Sequence, residues 1–116
     1  FKTKRVYEAP SPDDGCRILV ERLWPRGVTK DRAAIELWLK EISPSPELRQ
    51  WFSHDPAKWP EFQQRYRQEL EQQPAAVELL REKERRDGTV TLVYAASDEQ
   101  RNSAVLLKAF LDGVAG

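Results

Sequence analysis

The sequence predicts a small α/β domain: a mostly parallel three-stranded sheet flanked by helices, with a helical insert between the second and third strands. Three observations predict it. Two short apolar runs, Ile18-Leu19-Val20 and Thr89-Val90-Thr91-Leu92-Val93-Tyr94-Ala95, have the length and branched composition of buried strands. The stretch between them carries apolar residues at helical spacing, broken by proline-rich caps. Each strand is eventually followed by helix, the pattern of parallel strands joined by crossovers.

The elements follow in order. Residues 2–7 read as a first strand, and Ala9-Pro10-Ser11-Pro12-Asp13-Asp14-Gly15 as a loop. Residues 17–23 form the second strand. Thr29 caps a short helical turn, and Ile35, Trp38, Leu39 and Ile42 then fall at i, i+3, i+4 and i+7, one face of a helix. Ser45 is an N-cap with Pro46 at the first helical position. Asp55-Pro56 repeats that pattern and opens a helix to about Gln72, with Trp59, Phe62, Tyr66 and Leu70 along one side. Pro60 lacks the N–H of a helix interior, so that helix starts as a 3₁₀ turn or restarts there. Residues 74–87 make a charged helix ended by Gly88. The third strand is residues 89–95. Ser97 and Gln100 have capping-box spacing before a last apolar helix, and residues 112–116 are expected to fray. The whole chain, 1–116, is read as one domain.

Composition narrows the function classes. Nineteen basic residues balance nineteen acidic ones, which argues against broad nucleic-acid binding. No apolar run approaches the roughly 20 residues of a membrane span. One cysteine permits no internal disulfide, and one cysteine with one histidine does not make a zinc site. No metal or cofactor is expected, no signal peptide is visible, and the expected location is the cytoplasm. The chain begins at Phe1 without a methionine, so it is expected to lack its initiator. Oligomeric state is not legible.

The most informative segment is Arg22-Leu23-Trp24-Pro25-Arg26-Gly27, placed where the second strand ends. Ligands collect at the carboxyl ends of strands in open α/β sheets. Arginine offers a planar fork suited to carboxylate or phosphate, and tryptophan a flat surface. Two further segments are expected at the same edge: 49–56, with Arg49, Trp51, His54 and Asp55, and 94–102, with Tyr94, Asp98 and Asn102. The candidate ligand-binding residues are therefore Arg22, Trp24, Arg26, Gly27, Arg49, Trp51, Tyr94 and Asn102. His54, oriented by Asp55 or Asp98, is the candidate general acid or base. Each has a plainer reading. The arginines also suit salt bridges to Asp13, Asp14 or Glu21; Trp38 and Trp59 suit the core; Asp55 suits a helix cap. Cys16 and Arg22 have the C-x₅-R spacing of cysteine phosphatases. The residues between them form a glycine-free strand that would hold the two roughly 20 Å apart, which argues against that chemistry.

Read together, the blocks RVYEAPSPDDG, RILVERLWPRGVTK, ISPSPELRQWFSHDPAKW, FQQRYRQEL and TLVYAASDEQRNSAVLL resemble the DUF488 family, also called YeaO-like, in order and over nearly the whole chain. The resemblance implies a small cytoplasmic single-domain α/β protein and carries no established activity. It gives motif membership, without catalytic roles, to Arg22, Trp24, Pro25, Arg26, Gly27, His54, Asp55, Pro56, Tyr94, Asp98 and Asn102. The sequence is thus read as a domain with an anion-binding pocket, open to being an enzyme that acts on a small anionic or nucleotide-like metabolite. The alternative is a non-catalytic ligand-sensing or protein-interaction module.

Overall fold

A computed structural model describes residues 1–113 of the chain. Four strands form one sheet in the order β1-β4-β2-β3, every neighbouring pair parallel. They are β1 (Lys2–Arg5), β2 (Cys16–Leu19), β3 (Leu37–Trp38) and β4 (Val90–Tyr94). The helices are α1 (Lys30–Ala33), α2 (Pro46–Phe52), α3 (Trp59–Glu71), α4 (Pro74–Asp87) and α5 (Ser103–Leu111). Single 3₁₀ turns occur at Pro12–Asp14, Lys40–Ile42 and Pro56–Lys58.

The expected sheet of three strands is corrected to four, because the helix expected across 35–42 does not form. Ala34 takes a left-handed conformation and ends α1 after a single turn. The next residues extend along β2: Glu36 N–H donates to the Arg17 carbonyl at 2.8 Å and Leu39 N–H to the Leu19 carbonyl at 2.9 Å. Leu37 and Leu39 then face the larger core while Trp38 faces the other side, an alternation of period two. Ile35, Trp38, Leu39 and Ile42 fit helical spacing, but they divide between two separate clusters. A second correction concerns the last helix. It begins at Ser103, with Asn102 as N-cap, rather than at a Ser97–Gln100 box. Asp98 takes the local N–H groups instead, accepting from Gln100 at 2.9 Å and Arg101 at 3.0 Å. Of the tail expected to fray, residues 114–116 lie outside the described residues.

The proline-marked helix starts are found where the local chemistry predicts them. Ser45 accepts from Leu48 N–H, with Pro46 opening α2. Asp55 caps a 3₁₀ turn, and α3 starts at Trp59 with Pro60 in its first turn, where no N–H partner is needed. Helix α4 ends at Gly88, whose φ is 81°.

The sheet buries both faces. Ile18, Val20, Val90, Leu92 and Tyr94 point into the main core under α2, α3, α4 and α5. Leu19 and Val93 point to the opposite face, covered by Val6, Ala33, Trp24, Val28, Ile35 and Trp38. Arg17 and Thr91 also belong to this second face, and they are buried. The Arg17 guanidinium donates to the Asp14 carboxylate at 2.6 Å and, through Nε and Nη2, to the Ala33 carbonyl at 3.0 and 2.8 Å. Asp14 also accepts from Lys4 Nζ at 3.1 Å and from Ser11 N–H at 3.0 Å, while its carbonyl accepts from the Thr91 hydroxyl at 2.7 Å. One carboxylate residue thus ties together β1, β2, β4 and the loop before β2. Arg17 extends the tie to α1.

Burial by itself would raise the Asp14 carboxyl, but the Ser11 N–H and the Lys4 and Arg17 cations hold it below its ordinary value of 3.8. A carboxyl depressed in the folded state stabilises the fold above its unfolded value. That contribution is lost as pH falls through the folded value. Asp14→Asn is therefore expected to cost about 3 kcal/mol at neutral pH, the scale for breaking a buried pair. In denaturant titrations the gap between parent and variant should narrow below about pH 4. A gap that stays constant with pH would contradict the charged role. Gly15 makes a separate demand. Its φ is +62°, and a Cβ there would lie 2.4 Å from the Thr89 carbonyl oxygen. Gly15→Ala is expected to lower stability by about 2 kcal/mol or more, measured in the same titrations.

Candidate functional site

At the carboxyl edge of the sheet, the chain leaving β2 meets the turn before α2, the end of α2, the start of α3 and the start of α5. A cavity of about 120 Å³ opens there, lined by residues from all five segments. Its polar lining is Glu21 and Arg22 after β2, Ser43 before α2, Arg49 and His54 at the end of α2, and Arg101, Asn102 and Ser103 at the start of α5. Pro44, Phe52, Trp59 and Phe62 form the apolar wall.

Local chemistry builds each part. The 42–45 turn is held from α3: the buried Tyr66 hydroxyl donates to the Ile42 carbonyl at 2.6 Å, and Glu69 accepts from Ser45 N–H at 2.8 Å. This presents the carbonyls of Ser43 and Pro44 to Arg22, whose Nη2 and Nε donate to them at 3.2 and 3.4 Å. Arg22 Nη1 has no hydrogen bond to a described residue. The wall is a chain of rings. Phe62 lies 4.5 Å from Phe52 and 5.5 Å from Trp59, centroid to centroid, and Phe52 lies 6.2 Å from the His54 ring. His54 reaches the cavity because Ser53 and His54 both take left-handed backbone, with φ of 48° and 58°. Two successive non-glycine residues in that region are uncommon and cost conformational energy. At the start of α5, Asn102 accepts from Val105 N–H at 2.9 Å and donates to the Asp98 carbonyl at 2.9 Å.

The lining carries three guanidinium groups and one carboxylate, Glu21. Burial pushes the Glu21 carboxyl up, against the opposing pull of Arg49 and of a backbone hydrogen bond from Ala95. Arg49 and Arg101 are exposed, and Arg101 also lies in the field of Asp98 outside the lining.

The expected site residues therefore separate. Arg22, Arg49, His54 and Asn102 share the cavity. Tyr94 is buried behind it, hydrogen-bonded to the Asn102 side chain. Asp55 is turned to the Ala57 N–H at 3.0 Å, and Asp98 to Gln100 and Arg101, so neither orients the imidazole. Trp24 packs edge-on against Trp38 at 5.5 Å and donates to the Val28 carbonyl at 2.7 Å, inside the second-face cluster. Arg26 and Gly27 lie on an exposed turn away from the cavity. The Tyr7 hydroxyl donates to the Arg26 carbonyl there, and Gly27 lines a separate groove with Tyr7 and Asp31. Trp51 is flanked by the cations of Lys58, at 5.1 Å, and Arg65, at 4.2 Å. The anticipated pairing of Arg22 with Arg26 is thus corrected. Pro25 is buried and turns the chain outward before Arg26, and Asp14 is committed to Arg17 rather than to either of them.

Sequence reasoning missed Glu21, Ser43, Pro44, Phe52, Trp59, Phe62, Arg101 and Ser103 as lining residues. Glu21 precedes the signature arginine directly. Arg101 and Ser103 flank the true helix cap, which the Ser97 box obscured. The aromatic residues read as helix faces packed into the core, and their cavity-facing edges have no signature in a linear pattern.

One group of metal-ligating side chains occurs among the described residues, well away from this cavity. Cys16, Glu36 and Asp87 place ligand atoms within 4.8 Å of one another. Their charges are already met. A single Glu36 oxygen accepts from Cys16 at 3.2 Å, Lys83 at 3.3 Å and Arg86 at 2.8 Å, and Arg86 also binds Asp87. Burial, then Glu36, pushes the Cys16 thiol up to about 12, far from the thiolate a metal or a nucleophilic mechanism needs. Cys16 opens β2 and Arg22 lies beyond its other end, so the C-x₅-R pair encloses no phosphate loop.

Comparison with known proteins places the chain. No solved structure matches it. An uncharacterized protein of Mycobacterium tuberculosis H37Rv, Rv3073c, is 41% identical over 112 residues, covering 97% of this chain and 93% of its own. The uncharacterized protein YeaO of Escherichia coli K12 is 39% identical over 111 residues, covering 96% of each. The family model described as "Inactive DUF488-N3 subclade" matches residues 1–114. The chain belongs to the DUF488 family, and the model that matches it describes an inactive branch.

Proposed function

We propose that this chain is a non-catalytic module that binds a small anion at the carboxyl edge of its sheet. The observation that carries the reading is the lining itself. Three arginines from three separate segments, the exit of β2, α2 and the start of α5, line one small cavity. Guanidinium N–H groups and the first N–H groups of a helix both suit an oxyanion.

Two observations favour binding over chemistry. The imidazole of His54 has no carboxylate hydrogen bond among the described residues, and both carboxylates expected to orient it, Asp55 and Asp98, are used as backbone caps. General acid–base work needs an oriented ring within reach of the proton it moves. The description of the matching family branch as inactive supports the same choice. Size narrows the ligand. A cavity of about 120 Å³ is well below the roughly 300 Å³ at which sites for drug-sized ligands begin, so it suits a single anionic group rather than a whole nucleotide.

The test uses inorganic phosphate as the probe, in a low-salt buffer, followed by calorimetry and thermal shift. Phosphate should bind and raise the melting temperature, and the effect should weaken with added salt. Arg49→Ala, at an exposed position, should weaken binding by about tenfold or more, the scale of one charge-assisted hydrogen bond. His54→Ala should change it by less than about threefold, because the imidazole is one contact beside three guanidinium groups in the lining. Phosphate monoesters incubated with the protein should remain intact. Turnover that disappears in His54→Ala would overturn the non-catalytic reading, and a parent protein indifferent to phosphate would overturn the site.

A further inference from the structure

We infer that Glu21 makes this cavity selective for a tetrahedral oxyanion that carries a proton, hydrogen phosphate, over one that does not. The inference rests on the anion-binding reading above and adds the ligand's chemistry to it. Glu21 is the only carboxylate among the described residues lining the cavity, which it shares with three arginines, and Arg49 acts on its charge. A carboxylate is out of place in a site that only collects negative charge, because it repels any fully ionised guest. It becomes favourable if the guest brings a hydrogen to donate, since a hydrogen bond to a charged acceptor in a partly desolvated site is among the strong ones.

The placement of Glu21 supports an acceptor role. Its carboxylate is drawn toward its charged form by the Arg49 cation and by the backbone of Ala95, the two groups that oppose the effect of burial there. Its main chain is fixed, since the Glu21 carbonyl accepts from Trp38 Nε1 at 2.6 Å. An anchored acceptor retains its geometry when the guest arrives.

Charge counting selects the guest. Three guanidinium groups and one carboxylate leave the lining with two net positive charges. Hydrogen phosphate carries two negative charges and one proton, so it meets both conditions. A zwitterion such as a free amino acid would satisfy Glu21 with its ammonium group and leave the two positive charges unbalanced. Sulfate meets the charge and offers no proton.

Three probes of nearly equal size separate these terms at about pH 8, where phosphate monoesters have lost their second proton. Hydrogen phosphate, methyl phosphate and sulfate are then all dianions, and only the first can donate. Calorimetric titration of the parent should give phosphate an affinity about tenfold or more above both others, the scale of one hydrogen bond to a charged group. In Glu21→Gln the amide keeps the Ala95 contact through its oxygen and can itself donate. That variant should bind all three within about threefold of one another, chiefly because sulfate and methyl phosphate improve by removal of the repulsion. A parent that binds the three alike, or a Glu21→Gln variant that keeps the preference, overturns the role of Glu21. If the three bind alike and Arg49→Ala weakens all of them, the anion site stands and only its selectivity fails. If none binds, both readings fall.

Discussion

The pairing of Asp14 with Arg17 is the constraint on which the rest of this structure depends. Two ionised groups lie almost fully withdrawn from water on the second face of a parallel sheet. Such a pair costs desolvation that only a complete set of partners offsets. Here the set is complete. Ser11, Lys4 and Arg17 saturate the carboxylate, and the remaining guanidinium donors end on the Ala33 carbonyl. No buried side-chain nitrogen or oxygen among the described residues is left without a partner. The consequence is registry. β2 and β4 meet this junction at their second residues, Arg17 and Thr91, and β1 reaches it through Lys4, so the carboxyl ends of the three strands emerge at a set relative height.

That height decides what happens at the opposite edge. The residues leaving β2, Glu21 and Arg22, emerge beside the turn that Tyr66 and Glu69 hold against α3. Arg22 spends part of its fork on the carbonyls of that turn, which moors the helical insert to the sheet. The same guanidinium then has one end left for the cavity. One side chain thus both moors the insert and lines the cavity. The family's arginine–tryptophan–proline–arginine signature divides along these lines. Arg22 faces the cavity, Trp24 completes a core cluster, Pro25 is buried in the turn and Arg26 goes to solvent.

Much of the local structure was legible because its causes are local. Ser45-Pro46, Asp55-Pro56 and Gly88 act within one helical turn, through a cap, a missing N–H or a positive φ. The errors came where a distant partner outweighed the local pattern. Residues 35–42 fit a helical period, yet hydrogen bonds from Glu36 and Leu39 to β2 drew them into an edge strand. Ser97 and Gln100 have the spacing of a box, yet Asp98 took the free N–H groups and delayed the helix to Asn102. Of the candidate site, Arg22, Arg49, His54 and Asn102 could be named from the sequence, while Glu21 and Arg101 could not. Nothing in a linear pattern says which of nineteen acidic and nineteen basic residues faces a cavity rather than water.

The sequence alone determined the α/β class, the parallel strands, most helix boundaries and the family, since these follow from short-range periodicity, capping chemistry and the order of motif blocks. Only the tertiary structure decided the fourth strand, the buried ionic junction and the membership of the cavity. Those depend on pairings between residues tens of positions apart, such as Asp14 with Thr91, Arg17 with Ala33 and Arg22 with Ser43. The free energy of such pairings arises only when folding brings the partners together and removes the water between them.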